Sequence, residues 1–227
     1  LSFLSFLYKI LETGEKSHIK SLKNPTKRHL RVTLIITFAL REACPHAAGD
    51  VESCRFIEVG KDKVERSTVI TDGEHEVHAA RTSYNCWVPH DSNDIVHEAS
   101  KRFSILAKMP INNAEQYQLV FYGPGNEYKP HFDAFDKNTE EGRNNWFPGG
   151  QRVLTALAYL NDVDEGGETD FPDVGVSIKP SKGDAVIFHN CVEGTSDIHP
   201  KALHGGSPVI KGEKWAVNLW FRQEAIY

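Results

Sequence analysis

Tyr128-Lys129-Pro130-His131-Phe132-Asp133 places an imidazole and a carboxylate two residues apart. In a strand, successive side chains alternate between faces, so His131 and Asp133 are expected to aim into one space. One further histidine would complete a two-histidine, one-carboxylate set. Such a set holds a non-haem Fe(II) by one face and leaves the opposite coordination positions open. Alone, the pair reads equally well as an ordinary polar pair on a strand, so the choice rests on the downstream sequence.

Three later histidines are available: His189, His199 and His204. Ten residues after His204 stands Lys214, whereas the same step from His189 reaches His199 and from His199 reaches Val209. A lysine on the strand next to the metal suits a small dicarboxylate co-substrate. One end of such a molecule chelates the ion, and the other needs a fixed positive charge in a partly dry pocket. His204 is therefore expected as the third ligand and Lys214 as the partner of the distal carboxylate. A zinc site built from the same three residues is the rival, because Zn²⁺ also takes imidazole and carboxylate.

Four segments carry a wider pattern: EQYQLVFYGPGNEYKPHFD (115–133), RVLTALAYLNDVDEGGETDFP (152–172), IKPSKGDAVIF (178–188) and LHGGSPVIKGEKW (203–215). In order and spacing they resemble the prolyl 4-hydroxylase group of Fe(II)/2-oxoglutarate dioxygenases. VERSTV (64–69) and RTSYNCWV (81–88) match more weakly. The resemblance divides the chain into an N-terminal extension, residues 1–48, that matches poorly, and a catalytic domain, residues 49–227.

Composition bounds the other classes. The chain has 227 residues, of which 40% are hydrophobic and 25% charged, ordinary for a globular protein with a sizeable core. A net charge of −5 argues against nucleic-acid binding over the whole domain. No apolar run is long enough to span a bilayer. Cys44, Cys54, Cys86 and Cys191 allow three pairings, show no CxxC spacing and leave the compartment open, the secretory pathway included.

Leu1 to Leu11 reads as an amphipathic helix, with the tail of a signal or membrane-anchor segment as the alternative. Thr13 to Arg31 is a solvated basic run, and Val32 to Leu40 a buried strand. Asp50 to Lys63 predicts a helix and Val64 to Ile70 a strand. Thr71 to Asp91 reads as a long polar loop, a candidate binding loop or lid. Asn93 to Lys108 is the clearest helix: Ile95, Ala99, Phe103 and Leu106 follow its period, and Ser92 or Asn93 caps it.

From Glu115 the text is strands and turns. Strands are expected at 116–122, 128–133, 152–160, 176–178, 184–188, 203–207 and 215–222, with a charged, glycine-containing insertion at 134–150. Gly166 and Gly167 mark a tight turn. Many short strands indicate a sandwich or barrel. The fold class is thus mainly β with flanking helices. The resemblance sharpens it to a double-stranded β-helix, or jelly roll, with helices against one sheet.

The resemblance also implies chemistry. Fe(II) held by His131, Asp133 and His204 would work with 2-oxoglutarate and O₂, with ascorbate rescuing uncoupled turnovers. Thr155 and Tyr122 match positions whose hydroxyls help hold 2-oxoglutarate, and strand alternation turns Thr155 inward with Leu157. Arg81 matches a loop that closes over a peptide, and Trp220 a position near the substrate groove; Trp215 alternates to the packing side. The implied substrate is a peptidyl proline, extended in polyproline II form. Ser207 stands where the family often has cysteine, so a disulfide to that position is out of reach, and residues 189–202 depart from the family's substrate rim. The alternatives are a 2-oxoglutarate hydroxylase of another amino acid, a silent binding module and a nucleic-acid demethylase. The intact three ligands and Lys214 argue against the second, and the acidic charge against the third.

Overall fold

A computed structural model describes residues 20–21, 32–34, 50–71, 74–76 and 78–227. The segments Leu1–Leu11 and most of 13–40 therefore lie outside the described residues. The chain order is β1 (Lys20–Ser21), β2 (Val32–Leu34), α1 (Asp50–Gly60), β3 (Glu65–Arg66), β4 (Val69–Thr71), β5 (Glu74–Glu76), β6 (Tyr84–Val88), α2 (Asp94–Ala107), β7 (Tyr117–Tyr122) and β8 (Tyr128–His131). It continues with α3 (Glu140–Asn144), β9 (Arg152–Tyr159), β10 (Glu165–Gly166), β11 (Thr169–Phe171), β12 (Val176–Ile178), β13 (Ala185–His189), β14 (His204–Gly206), β15 (Val209–Lys211) and β16 (Lys214–Arg222).

Two sheets face each other. The major sheet has eight strands in the order β1-β2-β13-β9-β16-β7-β6-β3, and the minor sheet four, β12-β11-β14-β8. Its pairs are antiparallel, as jelly-roll connections require. Two pieces of the first 48 residues, β1 and β2, join the same major sheet through β13.

The period-2 pattern of the central strands splits the interior in two. From β9 and the residue after it, Leu154, Ala156, Ala158 and Leu160 turn to the helical side, where they pack with Phe56, Val96, Ala99 and Phe103 of α1 and α2. Leu157 and Tyr159 turn the other way, to Val120, Phe171, Val186, Phe188 and Val209 between the sheets. Burying each leucine, valine or phenylalanine among them contributes about 1.5–3 kcal/mol. Trp215 lies on the helical side, 4.7 Å from the Phe121 ring, as its alternation predicts. The α2 cap is Asn93, whose side chain accepts from the Val96 amide at 2.9 Å. Its buried stripe is Val96, Ala99, Ser100 and Phe103, so Val96 takes the core position expected for Ile95.

The long loop at 71–91 is corrected. Residues 74–76 form a hairpin with β4, and β6 lies inside the major sheet between β7 and β3. Cys86 and Val88 are buried on the helical side, where Tyr84 is exposed at the end of the same face; Trp87 is exposed on the opposite face, 6.1 Å from the Trp220 ring. Five residues that carry apolar or aromatic side chains on both faces show no alternation that separates a strand from a loop. Cys86 and Cys191 are buried free thiols. Among the described residues, no helix is long and apolar enough to cross a membrane.

Candidate metal and co-substrate site

Strand pairing brings the two histidines together. β14 pairs antiparallel with β8 so that His204 stands directly opposite His131, their ring centroids 4.5 Å apart. Directly opposed residues share a face at close range, which carries a ligand across the long intervening sequence. β8 ends at His131, so Asp133 sits on the bend beyond it rather than on the strand as expected. Its carboxylate nevertheless turns back: Asp133 Oδ1 is 3.7 Å from His131 Nε2 and Oδ2 is 3.6 Å from His204 Nε2.

Those separations are too long for hydrogen bonds. They place one ligand atom from each of the three residues within 4.8 Å of the others, the only such histidine and acid cluster among the described residues. Each imidazole has its tautomer set from behind. His131 Nδ1 lies 2.9 Å from the Lys129 carbonyl and His204 Nδ1 3.0 Å from the Ala202 carbonyl. A carbonyl can only accept, so Nδ1 carries the proton and the Nε2 lone pair is left for an ion. Burial, partly opposed by Asp133, lowers His204 to about 4, which keeps it neutral. Burial pushes Asp133 upward, but the two imidazoles and the Thr155 hydroxyl outweigh it and hold the carboxyl ionised well below its ordinary range. Two neutral nitrogens and one carboxylate fit a divalent iron.

The rings are also held by packing. His131 stacks on Tyr128 at 3.6 Å, and His204 sits between Phe171 at 5.6 Å and Phe188 at 4.7 Å. Of the other two histidines considered, His189 is exposed, and His199 spends its ring accepting the Lys201 amide at 3.1 Å.

Thr155 turns inward as alternation predicts, and its hydroxyl is engaged with Asp133 and Asn190. It donates to Asp133 Oδ2 at 2.7 Å and accepts from Asn190 Nδ2 at 2.9 Å. A hydroxyl has one proton, so the relay runs from Asn190 through Thr155 to Asp133. Thr155→Val keeps the shape and removes the donor. We expect metal affinity to fall about 10- to 100-fold, the usual cost of losing an outer partner of a ligand; equilibrium dialysis with Mn(II) measures it.

Lys214 faces this cluster from the opposite sheet. Expected on a strand neighbouring His204, it is instead the first residue of β16, which pairs with β7 and β9. It is 4% exposed, and among the described residues its hydrogen bond is to the Gly167 carbonyl at 2.7 Å. The Tyr122 and Tyr159 rings each lie 5.4 Å from the ammonium. Burial lowers Lys214 to about 8, against the smaller pull of Asp170 and Glu168. A buried cation with one neutral acceptor is costly unless an anion arrives. Gly166 and Gly167, at φ 77 and 72, make the expected turn, and that turn also presents the carbonyl to Lys214.

Arg152 and Arg222, two further cations near the site, are committed elsewhere. Arg152 grips Glu115 by two bonds of 2.7 Å, and Arg222 reaches the same carboxylate at 3.2 Å. Trp220 stands opposite Thr155 in the strand register, with the Arg152 guanidinium 3.9 Å above its ring. Its indole nitrogen is buried with no hydrogen-bond partner among the described residues. Arg81, expected on a loop over a peptide, is buried: it donates to Gln118 at 2.9 Å and lies over Tyr128 at 4.7 Å.

Sequence reasoning missed Gln151, which is completely buried. Its amide accepts from the Phe135 amide at 2.7 Å and donates to the Phe135 carbonyl at 2.9 Å and the Ser196 carbonyl at 3.2 Å. It thereby ties the segment after Asp133 to the 189–202 rim, and a lone glutamine after two glycines gives no linear sign of this. Gln151→Leu strands those backbone groups, so the thermal midpoint should fall by an amount equivalent to about 1–3 kcal/mol per group left unpaired; calorimetry reads it.

Comparison with known proteins now adds to this geometry. The 2OG-Fe(II) oxygenase superfamily profile matches residues 117–222. "Probable prolyl 4-hydroxylase 6" of Arabidopsis thaliana is 37% identical over 194 residues, covering 75% of this chain and 65% of the relative. "Probable prolyl 4-hydroxylase 10" of the same plant is 34% identical, covering 83% of this chain and 71% of the relative. The 2OG complex of the viral collagen prolyl hydroxylase from Paramecium bursaria Chlorella virus-1 superposes with a TM-score of 0.60 at 28% identity, over 76% of this chain and 90% of that one. With relatives of this identity and coverage, and with His131, Asp133 and His204 inside the matched region, the chain belongs to the prolyl 4-hydroxylase family of 2OG-Fe(II) oxygenases.

Proposed function

We propose that this protein is an Fe(II)- and 2-oxoglutarate-dependent dioxygenase that hydroxylates a proline within a peptide, with His131, Asp133 and His204 as the iron ligands and Lys214 as the anchor of 2-oxoglutarate. The observation that carries it is the convergence of two tautomer-set imidazoles and one ionised carboxylate opposite a buried, nearly unpartnered ammonium. Bound Fe(II) would supply activation of O₂ for insertion into an unactivated C–H bond, while 2-oxoglutarate is split to succinate and CO₂. One oxygen atom of O₂ ends in succinate and the other in the hydroxyl, so atoms and electrons balance.

The chain's own residues do the positioning. Lys214 neutralises the distal carboxylate in a site screened from water, with the Tyr122 hydroxyl beside it. Thr155 and Asn190 hold Asp133 in place, and Phe171, Phe188 and Tyr128 hold the imidazole planes. The Trp220 indole N–H, buried and without an acceptor among the described residues, is suited to donate to a peptide carbonyl. Arg81 serves the substrate side through Tyr128, which it covers. Ascorbate dependence belongs to the same proposal.

The test is incubation with Fe(II), 2-oxoglutarate, O₂ and ascorbate together with proline-rich peptides, read by mass spectrometry and succinate assay. Gain of one oxygen on proline, matched by succinate, is expected. Oxygen gain on another residue would move the protein to a hydroxylase of that residue. Absence of succinate with every peptide would leave a silent binding module.

A further inference from the structure

Gly205 and Gly206 lie side by side in β14, yet they are glycine for different physical reasons. A side chain on Gly205 would bring its Cβ to 2.9 Å from the Tyr128 carbonyl oxygen, so close strand pairing demands glycine there. Gly206 has no such demand on it. Its φ is outside the left-handed region, and an added Cβ would meet nothing nearer than 3.9 Å, which is ordinary van der Waals contact. The register shift between His204 and Gly206 therefore does not need glycine either. Glycine inside a strand weakens it, and where neither backbone nor packing requires it, the remaining reason is the close approach of something else.

The atoms around that missing Cβ say what approaches. They are the Tyr122 hydroxyl oxygen at 3.9 Å, the Tyr128 amide nitrogen at 3.9 Å and Lys214 Nζ at 4.0 Å. Tyr122 and Lys214 are both more than nine-tenths buried. Gly206 lies two residues from His204, so it shares the interior face of β14 with that histidine.

We propose that Gly206 is a specificity-determining residue: its lack of a side chain leaves the volume between the Lys214 ammonium and the Tyr122 hydroxyl in which the distal end of the 2-oxo acid lies, and so sets the longest acid the site accepts. This rests on the co-substrate role of Lys214 proposed above. A methyl group at 206 would occupy the space of about one methylene. 2-Oxoglutarate would then no longer span from chelating oxygens to ammonium without a clash, whereas oxaloacetate, one methylene shorter, would still fit.

The test uses the full chain loaded with Mn(II) as a redox-inactive probe. Wild type, Gly206→Ala and Lys214→Ala are titrated with 2-oxoglutarate and with oxaloacetate, and their Mn(II) affinity and thermal midpoint are measured in parallel. For Gly206→Ala we expect an unchanged midpoint and Mn(II) affinity. Its 2-oxoglutarate affinity should fall on the order of tenfold or more, the scale of overpacking a fitted site by one methyl, while oxaloacetate loses much less. Unchanged 2-oxoglutarate affinity, equal weakening of both acids, or a lowered midpoint would each overturn the inference, the last because glycine would then be needed for the fold. If wild type binds 2-oxoglutarate, Lys214→Ala loses it and Gly206→Ala keeps it, only the glycine inference fails. If wild type and Lys214→Ala bind it equally, or not at all, the co-substrate assignment fails and takes the inference with it.

Discussion

Lys214→Ala is expected to weaken 2-oxoglutarate binding on the order of 100- to 1000-fold while leaving metal affinity nearly intact. Removing one partner of a buried ion pair costs about 3–5 kcal/mol, and about 1.4 kcal/mol corresponds to tenfold in affinity. Arg152 and Arg222 cannot substitute, because both are committed to Glu115. Lys214→Arg keeps the charge, but its longer planar fork has to be accommodated beside the Tyr122 and Tyr159 rings, each 5.4 Å from the ammonium, so partial binding is expected. Calorimetric titration of the metal-loaded wild type and both variants with 2-oxoglutarate under anaerobic conditions measures the loss.

The same lysine predicts a pH profile and a trade-off. Burial sets Lys214 at about 8 in the folded protein, below the unfolded value of 10.5. A base lowered on folding means the unfolded state binds more protons between those two values. The penalty of burying the ammonium is therefore fully present below pH 8 and is relieved as pH rises from about 8 to 10.5. Co-substrate binding runs the opposite way, because the dianion needs the protonated form. Wild-type affinity should be level below pH 8 and decline as pH rises above it. Lys214→Met removes the buried charge, so its thermal midpoint at neutral pH should equal or exceed that of wild type although co-substrate binding is lost. A large drop in that midpoint would show that the ammonium supports the fold through its Gly167 bond.

His204→Ala is expected to abolish Fe(II) and Mn(II) retention and all turnover, with secondary structure preserved. The site would keep one imidazole and one carboxylate, and a facial set needs three ligands. His131→Ala should behave alike. His199→Ala is the matched control: its ring caps a short turn by accepting the Lys201 amide, so a loss of about 0.5–2 kcal/mol in stability with normal metal content is expected. Metal analysis after desalting, with circular dichroism on the same samples, checks both. Metal retained in His204→Ala and lost in His199→Ala would reassign the third ligand.

The linear text determined what local chemistry can determine. The period of α2, the alternation of β9 and β16 and the turn glycines at 166 and 167 are each set by residues within a few positions of one another, so they were legible. The His131 and Asp133 pair and the ten-residue step from His204 to Lys214 were legible only as spacings along the chain. What joins distant segments was not legible. That His204 stands opposite His131 depends on the register of β14 against β8. That Lys214 approaches from the facing sheet, and not from a neighbouring strand, depends on how two sheets stack. Thr155 could be placed inward, but its hold on Asp133 and its support from Asn190 are contacts across β8, β9 and the segment after β13. The strand β6 was hidden because five residues with aromatic side chains on both faces carry no clear alternation, and only its hydrogen bonds to β7 and β3 decide its state. Gly206 makes the same point: in the sequence it is half of a Gly-Gly pair, and only the positions of Lys214 and Tyr122 separate a glycine the backbone requires from one that the ligand volume requires.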